Sequence, residues 1–126
     1  MKNVLFIIIM LFSLSGCKKS SPGTSYTVQP PLNIVISNLG ATSGYTIKAQ
    51  NFTQNSFDFN VTGTQDKTYP IAVNKGDHLN IFYTFVSQLP GQTQKNGEGQ
   101  INLIYNGSSL GTGGNGEGNI SIVIPK

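Results

Sequence analysis

Apolar residues recur at every second position almost everywhere beyond Pro31, and that period admits half-buried strands and excludes amphipathic helices. Leu32, Ile34 and Ile36 alternate with Asn33, Val35 and Ser37, and Tyr45, Ile47 and Ala49 alternate with Thr46, Lys48 and Gln50. The same alternation runs through Phe57, Phe59 and Val61, then Tyr69, Ile71 and Val73, and then Leu79, Ile81, Tyr83 and Phe85. It returns at Ile101, Leu103 and Tyr105 and again at Ile120, Ile122 and Ile124. Pro70, which cannot donate to a ladder, marks its strand as an edge. About seven strands with turn signals such as Gly40, Gly63 and Lys75-Gly76-Asp77 predict an all-β fold, a two-sheet antiparallel sandwich of the immunoglobulin-like sort. A small closed barrel is the alternative, and no helix is expected.

Composition points the same way. Asn, Gln, Ser and Thr make up 44 of the 126 residues, against 13 charged ones. Such a chain is rich in turn formers and poor in the long side chains that favour helices. The net charge of +3 comes from eight lysines with no arginine. That argues against nucleic-acid recognition, where the planar guanidinium fork is the preferred tool. A single cysteine allows no internal disulfide.

The N-terminus is organised differently. Met1-Lys2-Asn3 is a basic start, and Val4 to Leu14 is an apolar run too short to cross a bilayer, followed by Leu14-Ser15-Gly16-Cys17. These residues resemble the signal peptide and lipobox of bacterial lipoproteins. The resemblance implies that residues 1–16 are removed, that Cys17 carries a diacylglyceryl group on sulfur, and that its new amino group is acylated in turn. Two or more acyl chains anchor a protein stably where one does not. Lys rather than Asp at position 18 implies the outer membrane by the same resemblance, and Lys18-Lys19-Ser20-Ser21 departs from an acidic surface-export signal, favouring the periplasmic leaflet. Residues 17–31 then read as the lipidated Cys and a flexible tether rich in Ser, Thr and Pro, and residues 32–126 as the sandwich domain.

Candidates for chemistry are few. Asn96-Gly97-Glu98-Gly99 recurs as Asn115-Gly116-Glu117-Gly118, each copy opening an apolar-alternating strand. The intervening Asn106-Gly107 predicts a type I′ hairpin that sets Leu103 opposite Leu110. With residues 101–105 running up, 108–112 down and 119 onward up again, both turns fall at one end of the same sheet. There Glu98 and Glu117 are weak candidates for an oxygen-only Ca²⁺ site with Asn96 and Asn115, although tight turns account for the same residues without a metal. His78 falls on the outer face at a strand start, and the five carboxylates occupy turns or outward positions, so no catalytic site, cofactor or firm metal site is expected. Val35, Phe82, Ile104 and Val123 are apolar residues in outward positions, and aligned on neighbouring strands they would make a partner surface. The sequence therefore reads as a non-enzymatic, membrane-anchored accessory or binding module of the bacterial envelope, whose ligand the sequence does not name and for which an envelope protein is one candidate partner. A carbohydrate- or calcium-binding surface module is the alternative.

Overall fold

The computed structural model describes residues 29–91 and 96–126; Cys17 and the stretches expected to be a signal peptide (1–16) and a tether (to residue 28) lie outside the described residues. Eight strands follow in order: β1 (Leu32–Ser37), β2 (Ser43–Asn51), β3 (Ser56–Gly63), β4 (Lys67–Ile71), β5 (His78–Ser87), β6 (Gln100–Tyr105), β7 (Ser108–Gly114) and β8 (Glu117–Val123). They form two four-stranded antiparallel sheets, ordered β4-β1-β6-β7 and β3-β2-β5-β8, which face each other as a sandwich and do not close into a barrel. No helix occurs among the described residues.

The core lies between the sheets and is supplied by the alternation. Leu32, Ile34 and Ile36 of β1 and Ile101, Leu103 and Tyr105 of β6 meet Ile47 and Ala49 of β2 and Leu79, Ile81 and Phe85 of β5, all buried. Each of these strands is flanked on both sides within its sheet, so its inward residues are covered on every side. Residues on the edge strands, Phe59 and Val61 of β3, Tyr69 and Ile71 of β4, Leu110 of β7 and Ile120 of β8, are only half-buried against the same core. Pro70 does sit on an edge strand, opposite Asn33 of β1.

Two expectations need correction. The eight strands are the seven that alternate and β7 (SSLGTGG), the descending arm of the expected hairpin, which carries almost no apolar alternation. Its glycines make room instead: a Cβ at Gly113 would strike the Tyr83 hydroxyl, and one at Gly111 would strike Ile120. The hairpin turn is as expected, with φ of 48° at Asn106 and 78° at Gly107. Beyond it, however, a bulge between Leu103 and Ile104 pairs Leu103 with Gly111 and leaves Leu110 as the extra residue. Finally, the chain does not return alongside β7. At Asn115 and Gly116, both at positive φ, it crosses to the other sheet, where β8 pairs with β5.

Candidate functional site

The repeated turns meet at one end of the sandwich even though their strands belong to different sheets. Asn115 N–H donates to Gly99 O at 3.0 Å, Gly116 N–H to Gly97 O at 3.0 Å, and Gly99 N–H to the Asn115 side-chain oxygen at 3.0 Å. Phe85 of β5 sits beneath both, donating its N–H to Gly116 O and accepting from Gly97 N–H. A Cβ at Gly97 would run into the backbone of Phe85 and Val86, and one at Gly99 into the Phe85 ring. Glycine recurs in the first turn because two backbones approach closely there, and Asn115 satisfies a backbone donor.

The two glutamates have different surroundings. Glu98 is exposed, lies against Gly40, and uses its backbone to accept from Gly40 N–H and to donate to Ser43 Oγ. Glu117 stands on the outer face of the second sheet, opposite Thr84. No group of three or more His, Cys, Asp or Glu that could hold a metal ion occurs among the described residues.

The four outward apolar residues fall as two pairs on opposite faces of the molecule, which corrects the expectation of one patch. Val35 on β1 and Ile104 on β6 share the outer face of the first sheet, half-buried. Phe82 on β5 and Val123 on β8 share that of the second, 39% and 57% exposed. Phe82 stands opposite Lys48 on one side and Asn119 on the other, and the next outward pair is Thr84 and Glu117. Phe82, Thr84, Glu117 and Asn119 border a shallow depression of about 330 Å³.

Phe52, in the β2–β3 connection and 49% exposed, escaped sequence reasoning. An aromatic residue inside the polar turn Asn51-Phe52-Thr53-Gln54-Asn55 was the available signal. Its ring lies 5.6 Å from that of His78, which pairs across the ladder with Val123. His78 Nε2 is 3.1 Å from Ser121 Oγ, both residues being exposed on the outer face of the second sheet. Elsewhere the Tyr45 and Tyr69 hydroxyls are 2.8 Å apart, and burial, followed by that hydrogen bond, pushes the Tyr45 phenol well above its ordinary range. Tyr45 thus stays protonated as a structural donor.

No protein-family model, curated protein or solved structure matches this chain.

Proposed function

We propose that this chain is a lipid-anchored, non-enzymatic binding module of the bacterial envelope, held by acylated Cys17 and engaging an envelope protein through the outer face of the β3-β2-β5-β8 sheet. The observation that carries the binding face is Phe82, a large aromatic side chain exposed in mid-strand among Lys48, Asn80, Asn119 and Ser121. Exposed aromatic anchors ringed by polar groups are the usual centres of interfaces. The lipobox Leu14-Ser15-Gly16-Cys17 supports the anchor, and Lys18-Lys19 supports the periplasmic leaflet of the outer membrane. A second reading, an oligosaccharide site, is favoured by the depression in which Phe82, Thr84, Glu117 and Asn119 offer one ring face beside hydrogen-bonding groups.

The anchor is tested by feeding cells a fatty-acid probe. Wild-type protein should be labelled, and Cys17→Ser should lose the label and accumulate as unprocessed precursor. Equal labelling of the two would overturn the anchor. For the binding face, a photo-crosslinking residue at position 82 should give one adduct of discrete mass in intact cells, and the same residue at position 35, on the opposite sheet, should give none. Phe82→Ala should weaken that complex roughly thirty-fold, the loss of about 2 kcal/mol expected of an interface anchor. Adducts of the same mass from both positions would overturn the assignment of the face. No protein adduct, together with Phe82-dependent binding of envelope oligosaccharides, would select the second reading.

A further inference from the structure

The end of the sandwich at which the chain enters has a chemistry of its own. Antiparallel register places there the start of β1, the β2–β3 loop, the β4–β5 connection, the Asn106-Gly107 turn and the residues after β8. Lys75 and Lys126 both belong to this end, with the Lys126 side chain passing beside Gly76. They border a cleft of about 430 Å³ together with Gln29, Tyr105, Asn106 and Ser108. Tyr105 is only 6% exposed, yet its hydroxyl is buried without a hydrogen-bond partner, and so is the side-chain oxygen of Gln29. A buried phenol donor left unmatched costs free energy in a finished fold, and Tyr105 belongs to the wall of the same cleft that Lys75 and Lys126 border.

Exposed carboxylates are segregated away from this end, although Lys67 stands with them at the opposite one. Of the carboxylates whose side chains are described, Asp66, Glu98 and Glu117 lie at the opposite end or beside it. Asp77 lies at this end but is buried and already accepts from the Asn51 and Gln54 amides and the Asn74 N–H. Phe52 and Val123, two of the most exposed apolar side chains, flank the same end. Eleven residues lie between Cys17 and Gln29, twelve Cα steps with a reach of about 40 Å at full extension, so an anchor at Cys17 joins the domain at this end.

We propose that the Lys75–Lys126 cleft receives the phosphate headgroup of an anionic phospholipid, with the Tyr105 hydroxyl as a donor to it, so that this end of the domain lies on the membrane that holds the anchor. The orientation rests on the lipid-anchor reading above, whereas the cleft's affinity does not. Such a placement turns the repeated Asn-Gly-Glu-Gly turns away from the bilayer and leaves the Phe82 face at its side, open to a partner.

Every strand and core residue lies between residues 32 and 124, so a chain of residues 17–126 carrying Cys17→Ser retains the whole fold without lipid. Its co-sedimentation with phosphatidylcholine vesicles, with and without phosphatidylglycerol, is the test. Binding should require the anionic lipid. Lys75→Gln with Lys126→Gln should weaken it by about five-fold for each lysine, with Lys18 and Lys19 still present. Tyr105→Phe should weaken it further while raising the denaturation midpoint, because the lost hydroxyl is buried with no partner within the fold. Equal binding to both vesicle types, or anionic binding that survives the double lysine change, would overturn the proposal. So would binding of soluble glycerol phosphate through the two lysines without vesicle binding, which would assign the cleft to a free phosphate compound. Because this protein carries no acyl chain, a blank fatty-acid label in cells would remove the anchor and leave the vesicle result standing.

Discussion

Phe85→Ala should cost about 3 to 5 kcal/mol of folding stability, the range for a fully buried phenylalanine. Phe85 is 0% exposed, and its ring sits edge-on to Tyr45 at 6.4 Å and tilted to Tyr83 at 5.8 Å. It also forms the wall against which Gly99 is pressed. Truncation leaves a cavity that neighbours on two central strands and a tight turn cannot collapse to fill. A small domain has only about 5 to 15 kcal/mol in total, so the variant should approach unfolding at ambient temperature. The control is Phe59→Ala on edge strand β3. That ring is half-buried and packs on Tyr69 at a centroid distance of 5.7 Å. Its loss should be about half as large, because part of the ring is already in water. Chemical denaturation of both variants decides the matter. Equal losses would mean that β3 is covered as completely as β5 and that the sandwich has no open edge there.

The contrast between these two phenylalanines marks what the sequence could convey. Period-two alternation records which side of a strand faces inward, and Leu32, Ile34, Ile36, Ile47, Ile81, Phe85, Ile101 and Leu103 are all buried as the alternation requires. It does not record which strands become neighbours. Phe59 has the same pattern as Phe85, and only the strand order makes one an edge residue and the other a central one. For the same reason, Val35 and Ile104 could not be told apart from Phe82 and Val123, although they lie on opposite faces. The repeated turns were legible as a pair because glycine and asparagine report backbone conformation directly. Their partnership is carried by backbone groups and the Asn115 amide, and the glutamates that drew attention to them lie outside those hydrogen bonds. The lysine cleft was illegible throughout, since Gln29, Lys75, Tyr105 and Lys126 are brought together only by the crossing of the chain between sheets.

Asp77→Ala should cost about 3 kcal/mol or more, a large effect for a residue whose turn sequence, Lys75-Gly76-Asp77, reads as solvated. Asp77 is 2% exposed. One carboxylate oxygen accepts three hydrogen bonds of 2.8 Å, from Asn51 Nδ2, Gln54 Nε2 and the Asn74 N–H. Asn51 is the last residue of β2, Gln54 lies in the β2–β3 connection and Asn74 in the β4–β5 connection, so this single oxygen ties a strand end and two loops together at this end of the sandwich. Alanine would leave three donors without their acceptor, of which the Asn51 amide is buried while Gln54 and Asn74 are exposed residues that can turn to water, and hydrogen bonds to a charged acceptor are worth about 1.5 to 3 kcal/mol each. Asp77→Asn keeps the size and one acceptor oxygen but removes the charge and brings two donors toward donors, so its loss should be smaller without being negligible. Hydrogen exchange supplies a local readout. The Phe52 N–H donates to His78 O at 2.8 Å, and its protection should fall in Asp77→Ala more than that of amides in β1 or β6. A stability change within about 0.5 kcal/mol, the ordinary range for a surface substitution, would mean that water and not the two loops satisfies Asp77. In that case the carboxylate would count among the surface charges beside Lys75 and Lys126, and this end of the domain would lose the positive balance on which the proposed contact with an anionic bilayer rests.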